Sequence, residues 1–250
     1  MIEIEGLVRR YGEFCAVSGI SLSIPAGQIF GLLGPNGAGK STTLRILSTL
    51  IRATEGSVRI GGLDVVAHAN DVRRVIGYVP EGADLYDALT GREFLELVAD
   101  LHRLPRNVAE ERRLSLLESF ALVDDTERAI GEYSKGMKQK LLIVAALQHR
   151  PRVLLLDEPL DGLDVAAQEV LKGLIRSQAA EGGVVVYSSH ILEVVERVCD
   201  RVAIIQHGRL VADGSPAALL ASHPGKTLSE VFLGLTHGSR DPGSPTPQLT

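Results

Sequence analysis

Apolar and polar residues alternate along the first 24 positions of the chain. Ile2, Ile4 and Leu7 are separated by mostly polar or small residues, and residues 16–24 again alternate. A period of two is typical of antiparallel strands with one buried face. The sequence PAG at 25–27 is a turn signal. The opening of the chain is therefore expected to form an antiparallel β unit.

Beyond this unit, short apolar runs alternate with segments of helical period. Strands are predicted at 28–33, 57–60, 75–79, 153–157, 184–188, 201–205 and 209–212, and helices at 41–51, 165–180 and 191–198. Residues 91–148 show helical patterns with few strand signals, which predicts a helical insert. Strand–helix alternation of this kind predicts an α/β fold, in which helices cover a mostly parallel sheet.

Composition and charge exclude several classes of protein. The 250 residues are 45% hydrophobic, which is enough to build a core, and the net charge of −5 gives no global attraction to nucleic acid. The two cysteines, Cys15 and Cys199, are too far apart in sequence to suggest a disulfide framework or a thiolate metal site. No uncharged apolar run approaches the ~20 residues of a membrane span, and no signal peptide is evident. We expect a chain that works in the cytosol.

The strongest chemical signal is the sequence GPNGAGKST, which lies between a predicted strand and a predicted helix. Glycines let backbone amides turn inward around a phosphate, and the helix N-terminus adds positive potential. A chance match somewhere in such a chain has a probability on the order of one per cent. The predicted ATP-binding residues are Gly34, Pro35, Asn36, Gly37, Ala38, Gly39, Lys40, Ser41 and Thr42. Lys40 would bridge the outer phosphates, and Ser41 would be a ligand of Mg²⁺.

Two adjacent acids follow the apolar strand at 153–157. At such a strand end Asp157 can hold Mg²⁺, and Glu158 can accept a proton from an attacking water. The alternative is that both acids only cap the next helix.

A third segment, YSKGMKQK at 133–140, precedes an amphipathic helix predicted at 141–149. Ser134 occupies an N-cap position, and that structural role could be its whole function. The other interpretation is an anion site formed by Ser134, the Gly136 amide and the helix dipole.

In order and spacing, these motifs resemble the nucleotide-binding subunits of ABC transporters. The corresponding family motifs are Walker A (34–42), the Q-loop (77–81), the signature (133–137), Walker B (153–158), the D-loop (160–164) and the switch histidine, His190. The resemblance implies an ABC ATPase domain over residues 2–236, with a P-loop NTPase core, the N-terminal antiparallel subdomain and a helical subdomain at about 82–150. Residues 237–250, rich in Pro, Gly and Ser, are expected to form a disordered tail.

The resemblance also implies roles for single residues. Tyr11 would stack on the adenine, Glu81 would contact nucleotide and metal, and His190 would sense the γ-phosphate beside the catalytic Glu158. Taken alone, His190 would more often be a polar helix cap. Ser134 and Gly136 of one subunit would close over ATP bound to a second subunit, in a homodimer or a heterodimer.

The resemblance implies integral-membrane permease subunits as partners and no nucleic acid. The chain would be cytoplasmic, peripheral on the inner face of the membrane, and would hydrolyse ATP to power export of the ABC-2 type. Two alternatives remain open: a non-transport ABC ATPase acting on a ribosome or a nucleic-acid complex, and a nucleotide-gated module without turnover.

Two positions depart from the family pattern. Glu81 stands where the family usually has glutamine, so it should bind metal more strongly but repel the nucleotide. In the signature, Lys135 and Met137 replace a glycine and a glutamine that many members carry. The phosphate-facing Ser134 and Gly136 are retained.

Overall fold

The computed structural model describes residues 1–82, 84–189 and 191–237. The expected tail beyond residue 237 and His190 therefore lie outside the described residues. The strands are β1 Ile2–Tyr11, β2 Phe14–Ile24, β3 Ile29–Leu33, β4 Glu55–Ile60, β5 Leu63–Asp64, β6 Ile76–Val79, β7 Val153–Asp157, β8 Val184–Ser188, β9 Arg201–Gln206 and β10 Arg209–Gly214. The helices are α1 Lys40–Leu47, α2 Ala69–Val75, α3 Gly91–Leu101, α4 Arg106–Ser119, α5 Lys135–Leu147, α6 Val165–Ala180, α7 Leu192–Val198, α8 Pro216–Ala221 and α9 Leu228–His237.

The N-terminal strands form the antiparallel sheet that the alternation predicts. Its order is β2-β1-β4-β5, and Ile2 of β1 lies opposite Ile24 of β2 and Ile60 of β4. These three isoleucines are almost completely buried. They pack in one apolar cluster with α1 and with one face of the second sheet.

The second sheet has the order β10-β9-β3-β8-β7-β6. Every pairing in it is parallel except that of β9 with the edge strand β10. Alternate residues of β7 enter different clusters: Val153 and Leu155 face the antiparallel subdomain, whereas Leu154 and Leu156 face the helical side. Because β3 and β7 run in the same direction, the residues that follow Leu33 and Leu156 emerge at one edge of the sheet.

The helical insert consists of α3, α4 and α5, with two short 3₁₀ turns between α4 and α5. Helix α3 begins with a capping box, in which Thr90 accepts from the Glu93 amide and the Glu93 carboxylate accepts from the Thr90 amide. Within the described ranges, no helix has both the length and the apolar character needed to cross a membrane.

Helices α2, α8 and α9 were not among the predicted elements, and three further details differ from the sequence-based expectation. Helix α1 ends at Leu47 rather than at residue 51, because Thr49 takes a left-handed φ of 65° and the Leu50 amide turns back to the Arg45 carbonyl. Helix α5 begins at Lys135, well before the predicted residue 141. The strands near residues 57–60 and 75–79 belong to different sheets, separated by α2.

Candidate nucleotide-binding site

The phosphate loop connects β3 to α1. A side chain could not replace hydrogen at Gly34 or Gly39, since an added Cβ would lie 2.4 Å from the Ile205 or the Ala16 carbonyl oxygen, respectively. Gly39 also has φ 109° at the N-cap of α1, where no side chain caps the helix. The loop therefore leaves the amides at the start of α1 available to an anion.

Lys40 is the first residue of α1 and is only 6% exposed. Its Nζ donates to the Gly34 carbonyl at 2.7 Å and to the Pro35 carbonyl at 3.3 Å. Burial lowers the pKa of Lys40, and the nearby acids Glu158, Asp157 and Glu81 oppose that shift. The ammonium is thus held among carboxylates at the base of the loop.

Asp157 ends β7 and is 1% exposed. Neither carboxylate oxygen has a hydrogen-bond partner among the described residues. Burial raises the pKa of Asp157, and Glu81 and Glu158 add to the increase, whereas the nearby hydroxyls of Ser41 and Ser188 oppose it. A buried carboxylate without a partner, beside a serine hydroxyl, is an oxygen-rich environment that fits a hard cation such as Mg²⁺.

Glu158 follows Asp157 in an unusual backbone conformation. Its φ is 47°, in the left-handed region, and its amide donates to the Ser188 carbonyl of β8 at 3.1 Å. This turn ends the strand. Both Asp157 and Glu158 line the same cavity as the phosphate loop.

That cavity has a volume of about 350 Å³. Its lining residues are Tyr11, Phe14, Ala16, Asn36, Gly37, Ala38, Gly39, Lys40, Ser41, Thr42, Glu81, Asp157 and Glu158. Gly34 and Pro35 contribute through the carbonyls that hold Lys40. The structure thus brings the predicted phosphate-loop residues, Tyr11, Glu81 and both acids to one place.

Two aromatic side chains, those of Tyr11 and Phe14, line the cavity. Tyr11 is 43% exposed, and the Arg9 guanidinium carbon lies 4.5 Å from the centre of its ring. Phe14, which is 62% exposed, lies across the hairpin turn from Tyr11. The sequence reasoning missed Phe14, although its position at the same hairpin tip was a usable signal.

The signature residues lie elsewhere. Ser134 is the N-cap of α5, where its hydroxyl accepts from the Met137 amide at 3.2 Å. Tyr133 is buried and donates its hydroxyl to the Asp125 carbonyl at 2.7 Å. Neither Ser134 nor Gly136 lines the phosphate-loop cavity. One chain therefore does not bring its own signature to its own phosphate loop.

Comparisons with known proteins agree with this geometry. The family model described as ABC transporter matches residues 17–161. The chain is 38% identical over 221 residues to the daunorubicin/doxorubicin resistance ATP-binding protein DrrA of Streptomyces peucetius, covering 88% of this chain and 67% of that protein. It is 36% identical over 231 residues to the Nod factor export ATP-binding protein I of Burkholderia orbicola, covering 92% of this chain and 76% of that protein.

Solved structures give the same assignment. The dimeric post-hydrolysis state of the ATP-binding cassette MJ0796, bound to ADP and Pi, superposes with a TM-score of 0.78 at 26% identity, over 86% of this chain and 98% of that chain. The chain belongs to the family of ABC transporter ATP-binding proteins.

Proposed function

We propose that this protein is an ATPase subunit that powers export through separate membrane-spanning subunits. The observation that carries the proposal is the cavity in which the phosphate loop and the buried Lys40 meet Glu158 and Asp157, whose carboxylate has no hydrogen-bond partner among the described residues. Relatives named for drug resistance and for Nod factor export support the direction of transport. These names favour transport over action on a ribosome or a nucleic acid.

Within the cavity, each group has a distinct task. The loop amides and Lys40 would bind the phosphates, and Tyr11 would stack on the adenine. Ser41 and Asp157, with Glu81 at the rim, would hold Mg²⁺, which neutralises phosphate charge when bound. Glu158 would accept the proton of the attacking water. His190 keeps its proposed role as γ-phosphate sensor on the basis of sequence alone.

A second nucleotide-binding subunit would complete the site. Ser134 and Gly136 are placed outside their own chain's cavity, and Ser134 is exposed. The cassette whose structure resembles this chain is a dimer. We infer that the signature of one subunit closes over ATP held by the other, in a homodimer or a heterodimer.

A groove beside α5 is our candidate for the membrane partner. It has a volume of about 610 Å³ and lies between α2 and β6 on one side and α3 and α5 on the other. Leu50 and Leu101 in its lining are 62% and 73% exposed, and its rim carries Arg73, Arg74 and Arg103. This chemistry suits a short helix with an apolar face and an acidic residue. Docking there would place the chain on the inner face of the membrane.

The loop before α3 is a second candidate contact for the membrane partner. Leu85 and Leu89 pack against the core cluster and so anchor the loop. Tyr86 between them is 68% exposed. Its ring is therefore available to a partner, and we propose that the membrane subunit contacts it.

Removal of the Lys40 ammonium tests the nucleotide site. In Lys40→Ala we expect ATP affinity to fall by roughly 30-fold or more, because a charge that pairs with buried phosphate is typically worth more than 2 kcal/mol. Titration of ATP and Mg²⁺ by calorimetry measures the change, with Lys172→Ala as a lysine control on α6. Wild-type affinity in Lys40→Ala would contradict the proposed site.

Truncation of Tyr86 tests the membrane partner separately. Tyr86→Ala should leave the ATPase rate of the isolated subunit nearly unchanged but weaken capture of the membrane subunit about thirtyfold, since an aromatic anchor is worth about 2 kcal/mol. Leu233→Ala, a truncation of another exposed apolar residue, is the control. A lowered melting temperature with unchanged capture would mean that Tyr86 belongs to the core.

A further inference from the structure

The signature of this chain is attached to the D-loop of the same chain. We call residues 133–140 the signature segment and residues 159–164 the D-loop segment. Four contacts join them: Lys135 Nζ to Asp161 Oδ2 at 3.0 Å, Gly136 against Gly162, Gln139 Nε2 to the Pro159 carbonyl at 3.1 Å, and Lys140 Nζ to Asp164 Oδ2 at 2.8 Å. The contacts involve the first six residues of α5, about one and a half turns, and together we call them the seam.

Two glycines allow the seam to close. A Cβ on Gly136 would lie 2.6 Å from the Gly162 carbonyl oxygen, so only glycine permits this approach. Gly162 has φ 76°, and a Cβ on it would lie 3.2 Å from Cγ and 3.3 Å from Cδ of Lys135. The aliphatic part of Lys135 therefore lies along the D-loop backbone, while its ammonium reaches Asp161.

The seam leads from the signature to the base of the cavity. Ser134 precedes Lys135 directly, and the Asp161 amide donates to the Glu158 carbonyl at 3.2 Å. Only short links thus separate Ser134, which would serve the second subunit, from Glu158, which serves this subunit's own nucleotide. The Lys135 and Asp161 side chains are 68% and 63% exposed, so their ion pair is a weak, reversible contact rather than a fixed one.

We propose that Lys135 is a positioning residue that couples the two nucleotide sites of the dimer: through Asp161, it makes the signature segment follow the D-loop segment of the same chain. This inference rests on the proposed function, because Ser134 must face a nucleotide on the second subunit. It also gives a role to the lysine that stands where many family members have glycine. Loss of the pair leaves the chain's own cavity intact but loosens the presentation of Ser134.

A charge swap tests the coupling. Lys135→Glu and Asp161→Lys should each lower the ATPase rate about two- to fivefold and bring the Hill coefficient for ATP towards one. The double variant Lys135→Glu/Asp161→Lys should recover most of both losses. Lys172→Met, which removes the charge of another lysine in an ion pair, is the control. A double variant as impaired as the two single losses combined would overturn the proposal.

Hydrogen exchange on the full-length chain tests the seam without any dimer. The amides of Asp161 and Leu163 donate to the carbonyls of Glu158 and Leu160. In Lys135→Met, which keeps the aliphatic chain but loses the ammonium, both amides should exchange about two- to fivefold faster than in the wild type. Unchanged exchange would overturn the proposal. Failure of Glu158→Gln to dimerise with ATP would instead contradict the proposed dimer that encloses ATP. The comparison of exchange rates between Lys135→Met and the wild type would remain valid.

Discussion

The phosphate-loop cavity and the signature segment differ in the burial and the hydrogen bonding of their polar groups. In the cavity, Asp157 is buried and has no hydrogen-bond partner among the described residues, and Lys40 is buried against backbone carbonyls among acids. In the signature segment, Ser134 caps a helix and Lys135 pairs with Asp161 at the surface. A buried charge without a partner destabilises the fold unless a ligand pairs with it. An exposed group whose hydrogen bonds are satisfied within its own chain has no such cost and remains accessible to a second chain. The cavity is thus built to receive a ligand, and the signature to be presented to a second chain.

Glu158→Gln should separate binding from chemistry in the cavity, and it carries the largest expected effect. The amide keeps the size of the side chain but cannot accept a proton, so turnover should fall by roughly 10²–10⁴-fold. ATP affinity should persist because the phosphate loop and Lys40 are unchanged. Phosphate release measures the rate, and light scattering should detect a dimer trapped with ATP.

The matched control for this variant is Glu193→Gln on α7, an exposed acid outside the cavity. Its turnover should equal that of the wild type. If Glu158→Gln also turned over at the wild-type rate, Glu158 would have only a structural role in its left-handed turn.

Ser134→Ala tests the other half of the comparison. ATP binding to the isolated subunit should stay unchanged, while turnover should fall about 10–100-fold, because a hydrogen bond to a charged group is worth about 1.5–3 kcal/mol. The variant also loses an N-cap, which costs about 1 kcal/mol of stability. Steady-state kinetics measures turnover, calorimetric titration measures ATP affinity, and a melting curve measures the stability lost with the cap.

Ser215→Ala supplies the control for the lost cap. Ser215 caps α8 by accepting from the Ala218 amide at 3.1 Å, so its removal should lower the melting temperature similarly without changing turnover. Equal losses of turnover in the two variants would mean that Ser134 acts only as a cap.

The same contrast explains what the sequence could predict. Residues 153–157 and 184–188 were predicted as strands at their observed bounds, because continuous apolar runs at a sheet centre are a local signal. The phosphate loop was predictable because its function requires a contiguous stretch of backbone. The early end of α1 was not, since the left-handed Thr49 follows a helical pattern that continues to Leu50.

Long-range features of the site lay beyond the sequence pattern. Nothing in the spacing of residues 133–140 shows that Lys135 reaches Asp161, because that contact depends on how α5 packs beside the loop after β7. The exposure of Tyr86, in contrast to Leu85 and Leu89, also depends on tertiary packing. That Asp157 has no hydrogen-bond partner in the described part of the chain is likewise a property of the assembled sheet edge.

Asp157→Asn should have the smallest effect, and that effect is on the stability of the fold. The variant tests whether the buried charge of Asp157 destabilises the protein in the absence of a ligand. Burial raises the pKa of Asp157 in the folded chain above the unfolded value near 3.9. The folded state therefore binds the proton more tightly, and the carboxylate destabilises it increasingly as pH rises from about 4 through the folded pKa. At pH 7 the Asn variant should be more stable by about 1 kcal/mol, or roughly 2–4 °C in Tm. The difference should vanish below about pH 4, where both folded and unfolded chains are protonated.

The control for Asp157→Asn is Glu230→Gln, which should change the stability at neutral pH in the opposite direction. Hydrogen bonds from the Thr227 amide and hydroxyl lower the pKa of Glu230, so this carboxylate stabilises the fold at neutral pH and Glu230→Gln should lower Tm. Melting curves from pH 3 to pH 8 without Mg²⁺ measure both variants. Asp157→Asn should also lose the dependence of ATP affinity on Mg²⁺, because an amide is a poorer ligand than a carboxylate for a hard cation. A variant that melts below the wild type at pH 7 would mean that Asp157 has a stabilising partner. The cavity would then hold no uncompensated negative charge at Asp157 for Mg²⁺ to bind.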